Sequence, residues 1–338
     1  MLFPLEVSVM FSRTKLRTIL MRLPWGRVVL RGIWVSLSYN FISMKAYMGA
    51  KATTIEQQIA LLQARGMALH EPQARQVLLD IGYYRLGFYA YPFERHPGDG
   101  THRYREGTDM ESVLGLYHFD FCLRTLLHEA LLKMELNFRT KVIYEASNTY
   151  REAPCWFADE RYVRRDYAEP FEQKTYTRIK NKQEVIRRHH EKHRGQRYAP
   201  AWKTLEFFTF GEMILLYEKM TDTELKRKIS RYYTINHIGE FVSFLKALRD
   251  LRNACAHGQV LFDFRAAVRG RLGCIPTTSD EHGGVLHLRR LVEILSFFLR
   301  HIHPPLGDKL EEQVVSLFRD QSPLTLEILR DCTGYRQL

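Results

Sequence analysis

Arg252, Asn253 and His257 are the residues of this chain whose types and spacing best suit a chemical step. A histidine titrates near neutral pH, so it can exchange a proton with a ribose 2′-hydroxyl or with a leaving oxygen. An arginine donates a permanently charged fork of hydrogen bonds to a phosphate as negative charge builds up. Asn253, one helical turn before His257, could hold the imidazole in one tautomer or contact the phosphate. The three residues therefore predict a cleavage of RNA that needs no metal ion.

The spacing of an arginine and a histidine is a weak signal by itself. A chain of this composition would contain about four such pairs by chance, and Arg95/His102 and Arg188/His193 also match. Cations are common at helix C-termini, because that end of the helix dipole is negative. On spacing alone, a purely structural role for Arg252 and His257 stays open.

An amphipathic helix over residues 237–257 must position this motif. At 100° per residue one face is apolar, with Phe244, Ala247, Leu248, Leu251 and Cys255. The opposite face holds Lys246, Asp250, Asn253 and His257, with Arg249 beside it and Arg252 at the boundary. Gly258 ends the helix directly after His257. We expect an imidazole, an amide and two guanidinium groups to cluster on one side of an anchored helix.

A second long helix is predicted over residues 109–147, and it has a polar stripe. The stripe comprises Asp120, Arg124, His128, Glu135 and Arg139, and the opposite side has Val113, Leu127, Leu131, Met134 and Phe138. Such a stripe either faces water or lines a polar cleft. Spacing alone favours the solvated alternative, because charged stripes usually face water.

The remaining pattern is also helical, and no stretch shows sustained alternation of apolar and polar residues. A capping box at Thr54–Gln57 opens the first helix. Further helices are predicted over 201–219, 222–232, 237–257, 286–303, 308–319 and 323–331, with a loop at 276–284. The aromatic residues of 83–93 are expected to be core rather than base-stacking groups. The predicted fold class is all-α.

The net charge of +12 is concentrated in two segments. Residues 1–43 hold six basic and one acidic side chain, and residues 174–197 hold nine basic and two acidic ones. Such localised charge excludes a uniformly basic, histone-like coat. The nine cations suit a segment that follows RNA phosphates, and a solvated helix is the alternative. They are Lys174, Arg178, Lys180, Lys182, Arg187, Arg188, Lys192, Arg194 and Arg197.

Cysteine spacing and hydropathy limit the remaining possibilities. Five scattered cysteines without a C-x-x-C pair argue against a disulfide framework and a cysteine zinc site, and they favour the cytoplasm. His189, His190 and His193 have few suitable co-ligands, so we predict no metal and no cofactor. No apolar run approaches the roughly 20 residues of a membrane span. Residues 1–43 could be a transit peptide, a basic arm, or sequence upstream of a start at Met44 or Met48.

The motif and four other blocks, in the same order, resemble the Abi-like (abortive infection, AbiD/AbiF-type) bacterial proteins. The motif block is 251–257 (Leu-Arg-Asn-Ala-Cys-Ala-His), and together the blocks span about 53–265. The other matching positions are 56–59, Leu62, Arg65 and Gly66; 81–86, Tyr89 and 91–93; Tyr117, Phe119, Asp120, Leu123, Arg124, Met134, Glu135 and Arg139; and 199–202, Leu205, Glu206 and 209–211.

The resemblance implies a HEPN-like helical bundle whose Arg-x4-His motif is a metal-independent ribonuclease site. It implies that Arg252 and His257 act in a homodimer, and it links the protein to phage exclusion and to a structured non-coding RNA. It also favours a polar cleft around Asp120, Arg124, Glu135 and Arg139. One departure concerns residues 258–263, which replace a second histidine and an Arg-Leu-Trp-Asn stretch found in many relatives. Any role of that second imidazole is therefore in doubt.

The predicted organisation is a basic extension at 1–43, which need not belong to the working protein, and a helical region at 44–108. A HEPN-like core follows at 109–265, with the basic 174–197 insertion, and C-terminal helices occupy 266–338. The predicted function is an antiviral, RNA-binding endoribonuclease that leaves 2′,3′-cyclic phosphate ends on cellular or phage RNA. Its catalytic residues would be Arg252, Asn253 and His257, supported by Arg249, Asp120, Arg124, Glu135 and Arg139. The alternative is a non-catalytic binder of a non-coding RNA, acting as an RNA-regulated toxin or a scaffold.

Overall fold

The computed structural model describes residues 51–268, 275 and 284–337. Helices dominate these residues, and their apolar side chains form one continuous core. The all-α prediction is therefore confirmed. The hypotheses for residues 1–43 lie outside the described residues.

Within the described residues three helices precede the long helix, and local sequence explains where each begins. Helix α1 (Ile55–Ala64) starts with the predicted capping box, in which Thr54 and Gln57 bond each other's backbone N–H groups. Helix α2 (Glu71–Asp80) has proline in its first turn. Helix α3 (Tyr83–Ala90) follows Gly82, whose φ of +84° suits glycine.

The long helix, α4 (Met110–Thr149), runs unbroken for 40 residues. Asp109 caps its first turn by accepting the Ser112 N–H. Helix α3, three C-terminal helices and the motif helix described below all pack against it. The long helix is therefore the element against which both ends of the chain are assembled.

Short elements follow the long helix. They are α5 (Arg165–Ala168), a π-helical turn (Glu172–Tyr176), α6 (Thr177–Lys182), α7 (Glu184–Lys192) and α8 (Ala201–Thr204). The basic segment, residues 174–197, is thus built around α6 and α7. Its side chains Tyr176, Ile179 and Ile186 are buried, so this segment packs on the rest of the protein.

Three helices complete the middle of the chain. They are α9 (Phe210–Lys219), α10 (Thr223–Arg231) and the motif helix, α11 (Ile238–Ala256). The single helix expected over 201–219 is divided in two, because a 3-10 turn (Leu205–Phe207) and an extended Phe208 precede a new capping box at Thr209. The motif helix packs against both α4 and α9.

The C-terminal part contains strands that the sequence pattern did not predict. Strand β1 (Ala266–Val268) pairs with β2 (Gly284–Leu286) in an antiparallel register that places Ala267 opposite Val285. Three residues per strand are too few for an alternating pattern to be visible. Helices α12 (Leu288–Arg300), α13 (Pro304–Ser316) and α14 (Pro323–Thr333) follow as expected, shifted by a few residues. Among the described residues, no helix is long and apolar enough to span a membrane.

Candidate functional site

The motif helix has the two faces that its sequence predicts. Phe244, Ala247, Leu248, Leu251 and Cys255 are all buried, whereas the side chains of the polar face are partly or fully exposed. Burial raises the pKa of the Cys255 thiol to about 12, so this cysteine stays protonated and is no candidate nucleophile. The apolar face thus anchors the helix and leaves its polar side chains accessible.

Arg252 lies at the boundary between the two faces and points toward the long helix. Its Nε is 3.4 Å from Oε2 of Glu135, a carboxylate that is itself almost completely buried. The other carboxylate oxygen, Oε1, accepts a 2.8 Å hydrogen bond from Arg139, which also donates to the Phe208 carbonyl at 2.9 Å. The Arg252 side chain remains 31% exposed. One buried carboxylate therefore holds Arg252 in place while leaving it accessible to a ligand.

His257 occupies the C-cap of the motif helix, and its side chain is exposed. Its backbone N–H donates to the Asn253 carbonyl at 2.9 Å, as in a last helical turn. Its imidazole makes no hydrogen bond or ion pair with any residue that the structure describes. The backbone of residues 254–262 therefore fixes the point from which this side chain projects.

Two arginines from earlier in the chain fix the carbonyl groups of that backbone. Arg124 of the long helix donates to the carbonyls of Ala254 and Cys255, both at 3.1 Å, and to that of Gln259 at 2.5 Å. Arg85 of α3 donates to the Gly258 carbonyl at 2.6 Å. Helix C-termini leave carbonyls without intrahelical partners, and charged donors satisfy them strongly.

Asp120 fixes the backbone N–H groups that follow these carbonyls in the chain. Its Oδ1 accepts the backbone N–H groups of Leu261 and Phe262 at 2.6 and 2.8 Å. Its Oδ2 accepts from Arg124 at 2.8 Å and from the Tyr89 hydroxyl at 3.1 Å. Burial raises the pKa of the Asp120 carboxyl, and the two backbone N–H groups and Arg124 act in the opposite direction. We call Arg85, Tyr89, Asp120 and Arg124 the clamp.

The polar stripe of the long helix is therefore not a solvated face, and the preference from spacing alone is wrong. Asp120, Glu135 and Arg139 are buried, and Arg124 is only partly exposed. Spacing could not reveal this, because the backbone groups that Asp120, Arg124 and Arg139 contact lie more than 60 residues away in sequence. His128 is the one member of the stripe that is exposed.

The expected clustering of side chains around the imidazole is only partly present. Arg252 and His257 are five residues apart, about 140° around an ideal helix, so they project in different directions. No hydrogen bond or ion pair between described residues joins them, and Asn253 lies between the two directions. Arg249 pairs with its neighbour Asp250 at 2.7 Å instead.

The basic segment is less cationic than its composition suggests. Arg187 and Arg188 both pair with Glu184, at 2.5 and 2.8 Å. Arg178 pairs with Glu212 and Arg197 with Glu172, both at 2.6 Å. Among the described residues, no ion pair involves the other five cations, all of which are exposed: Lys174, Lys180, Lys182, Lys192 and Arg194.

The histidines of the basic segment hold its own structure together. His189 bonds Gln196 through Nε2 at 2.9 Å, and His190 bonds the Tyr176 hydroxyl through Nε2 at 2.7 Å. Desolvation by burial lowers the pKa of both imidazoles. No group of three or more potential metal ligands is present in the described part of the chain.

Arg85 and Tyr89 are the site residues that the sequence argument missed. The aromatic block 83–93 was expected to be core, and Tyr89 and Phe93 are indeed buried, although Tyr84 is exposed. Arg85 was the available signal, because it is the one charged side chain in an otherwise apolar and aromatic run. Buried or half-buried charges need specific partners, so such a residue indicates a defined contact.

Comparison with known protein families gives a match over the part of the chain that contains these contacts. The model of the family described as "Abi-like protein" matches residues 76–263, which is more than half of the chain and includes the clamp, Glu135, Arg139 and the motif. No curated protein and no solved structure matches the chain significantly. Because the match extends over most of the helices that build the site, this chain belongs to the Abi-like protein family.

Proposed function

We propose that this protein is an abortive-infection effector that binds RNA and cleaves it through Arg252 and His257 without a metal ion. The observation that supports this most is the convergence of buried charges on the motif helix. The clamp holds the backbone around His257, and Glu135 holds Arg252. Buried ionic groups are costly unless they serve specific contacts. Here their contacts leave Arg252 partly exposed and His257 exposed near one helix end, and the chemistry of both side chains suits RNA cleavage.

The proposed reaction is an attack of a ribose 2′-oxygen on the adjacent phosphorus. His257 accepts the 2′-hydroxyl proton, the bond from phosphorus to the 5′-oxygen breaks, and a 2′,3′-cyclic phosphate forms. The proton returns to the departing 5′-oxygen, which leaves as a hydroxyl. Arg252 stabilises the negative charge on the phosphate oxygens during the attack.

A homodimer would complete this site. Arg252 and His257 diverge within one chain, and the long helix, whose Glu135 contacts Arg252, exposes an apolar strip. The strip consists of Phe121, Leu132 and Leu136, which are 57%, 44% and 45% exposed and lie within about 60° of one another around the helix. Large exposed apolar groups on one face of a helix are typical of interaction sites. We propose that a second copy packs on this strip, so that Arg252 of one protomer faces the partner's His257.

The basic segment supplies the proposed contact with RNA. Its five unpaired cations are free to neutralise phosphates, and the segment is attached to the motif helix through a chain of contacts. Arg178 pairs with Glu212 in the first turn of α9, and the neighbouring Gly211 lies against the Arg249 side chain. A bound RNA strand could therefore extend from the basic segment toward Arg252.

A non-catalytic RNA binder is the second candidate. The divergence of Arg252 and His257 by about 140° around the motif helix favours it, because within one chain the two side chains do not converge on one phosphate. In this alternative, Arg252 and His257 dock a structured non-coding RNA that is never cut.

One experiment distinguishes the two candidates. Wild-type protein, His257→Ala and the control His96→Ala are freed of co-purifying RNA and incubated with cellular RNA in a chelator. His96 is an exposed loop histidine whose side chain forms no hydrogen bond or ion pair with the described residues. The proposal expects cyclic phosphate ends with wild type and His96→Ala, and none with His257→Ala. If all three proteins bind RNA equally and cut nothing, the binder is correct.

A second measurement tests the basic segment. Changing Lys180 and Lys182 to Gln should weaken RNA binding and reduce the slope of log K against log salt by about 0.7 per removed contact. Changing Arg187 and Arg188 to Gln removes equal formal charge, but these side chains are already paired with Glu184. This control should change the slope less. Equal effects of the two double variants would contradict a role for the unpaired lysines.

A further inference from the structure

Lys141 of the long helix has an environment that differs from that of an ordinary surface lysine. Its Nζ lies 4.2 Å from the ring centroid of Tyr233 and 4.7 Å from that of Tyr232. Tyr233 is fully buried, whereas Tyr232 is 42% exposed. The amine therefore lies against one buried ring and one exposed ring, and Lys141 itself is partly exposed.

The carboxylate that would normally neutralise Lys141 is occupied elsewhere. Glu145 is four residues further along the helix, where an acidic side chain can meet a lysine. Its carboxylate instead forms an ion pair with Lys228 at 2.5 Å and accepts a hydrogen bond from the Tyr232 hydroxyl. No ion pair with Lys141 occurs within the described residues. The amine thus lies against aromatic rings without a counter-charge.

This environment stabilises the neutral amine relative to the charged form more than the surroundings of an ordinary surface lysine do. Desolvation by burial lowers the pKa of Lys141 to about 8. Ring faces attract a cation by about 0.5 to 2 kcal/mol, and one pKa unit corresponds to about 1.4 kcal/mol, so the rings offset only part of the cost of burial. About a tenth of Lys141 would be neutral at pH 7, compared with less than about a thousandth of an ordinary lysine.

We propose that Lys141 is an acylation site that reacts with activated acyl donors of the acyl phosphate class. The lone pair of Nζ attacks the carbonyl carbon, the bond from that carbon to the phosphate oxygen breaks, and an amide forms. The phosphate leaves with the electron pair of the broken bond and takes up the proton that the amine loses. No oxidant, metal or further co-reactant is needed.

Acylation at this position removes a charge that lies on a core ring. Tyr233 stacks on Phe241 in the first turn of the motif helix, with centroids 5.5 Å apart. The amide is uncharged, so the contact between the cation and the Tyr233 ring would be lost. The acyl group would also add bulk beside the contact of Tyr233 with Phe241. The modification is independent of the proposed RNA cleavage, which involves the other end of the motif helix.

The test is acetylation of the full native chain by acetyl phosphate, followed by mass spectrometry of each lysine. Lys133 is the matched control, because it is on the same helix and pairs with Glu129. At pH 8, Lys141 should react at least about tenfold faster than Lys133, with a rate that reaches half its maximum near pH 8. Equal rates at the two lysines would overturn the proposal.

Two variants restore a counter-charge and test the cause. Asn137→Asp places a carboxylate one turn before Lys141 and can still accept the Tyr233 hydroxyl, which Asn137 accepts at 2.8 Å. Lys228→Met frees an oxygen of Glu145 to meet Lys141. Each should slow acetylation of Lys141 several-fold at pH 8 and leave Lys133 unchanged. If both variants fold and Lys141 reacts in them as fast as in wild type, the missing counter-charge is not the cause of its reactivity.

Discussion

The Arg85 guanidinium donates a 2.6 Å hydrogen bond to the carbonyl oxygen of Gly258, a residue 173 positions later in sequence. Gly258 directly follows His257, whose own side chain has no described partner. The position of the backbone beside His257 thus depends on an arginine from the aromatic block of α3. This contact gives that block a role in the site beyond its packing in the core.

Replacing Arg85 should therefore impair cleavage more than folding. In Arg85→Met the aliphatic stem is kept and the hydrogen bond to Gly258 is lost, so His257 is held less firmly. Because small displacements of a catalytic group are costly, we expect the single-turnover cleavage rate to fall about tenfold, with the helical circular dichroism unchanged. Arg75→Met is the control, since Arg75 forms an exposed ion pair with Glu56 and no other ion pair with the described residues. An unchanged rate in Arg85→Met would show that this hydrogen bond does not position His257.

Glu135 should be important for stability as well as for Arg252. Glu135→Gln removes the charge that compensates the buried Arg139 and the half-exposed Arg252. Breaking such a buried pair should lower the free energy of unfolding by about 3 kcal/mol, measured by urea denaturation. Glu129→Gln is the matched control on the same helix, because its pair with Lys133 is exposed. Similar effects of the two changes would mean that Glu135 is not a buried anchor.

Mixing two inactive variants tests whether the site is shared between protomers. Arg252→Ala and His257→Ala should each be inactive alone. If Arg252 acts with the partner's His257, each mixed dimer contains one intact site, and about a quarter of wild-type activity should return after random exchange of subunits. Size-exclusion chromatography with light scattering would verify the dimer. A mixture that remains inactive although mixed dimers form would place both residues of each site on one chain.

The basic segment should loosen as the pH falls. His189 is buried and its Nδ1 has no hydrogen-bond partner, so a proton there would be left without an acceptor. Burial lowers the pKa of His189 and His190 in the folded segment. As the pH falls, these imidazoles therefore bind protons at a higher pH in the unfolded segment than in the folded one. The stability that the neutral imidazoles provide is present above about pH 6.5 and is lost as the pH falls below it.

Hydrogen exchange of residues 184–197, corrected for intrinsic rates, would measure this loosening between pH 7 and pH 5. His189→Gln keeps a donor for Gln196 but cannot titrate, so the change between the two pH values should be smaller in this variant. His190 titrates in the same direction, which is why some dependence should remain. If the change in hydrogen exchange between pH 7 and pH 5 is as large in His189→Gln as in wild type, His189 is not its source.

Local patterns predicted the helices and their faces well, because these depend on short-range periodicity. The buried face of the motif helix and the Thr54 capping box follow from residues a few positions apart. The same reasoning placed Arg252 at a boundary but could not choose its direction. That choice depends on Glu135, more than 100 residues earlier, whose carboxylate becomes buried only when the two helices pack.

Contacts between distant residues account for most of what sequence patterns missed. The charged stripe of the long helix looked solvated because several of its partners are backbone groups, at Phe208 and in residues 254–262, which no side-chain pattern encodes. The resemblance to Abi-like proteins favoured a polar environment for Asp120, Arg124, Glu135 and Arg139, although periodicity alone did not. The two short strands were missed since three residues are too few to show a period.

The unbroken long helix also fixes a distance. Asp120 supports the segment around His257, and Glu135 supports Arg252, and the two carboxylates are separated by 15 residues or about 22 Å of rigid rod. Inserting one residue between Arg124 and Glu135 would turn the second support by about 100° away from the motif helix. Seven residues would restore the orientation to within about 20° but move it about 10 Å along the axis. The number of residues between Asp120 and Glu135 is therefore fixed, because an insertion or a deletion there would break one of the two contacts with the motif segment.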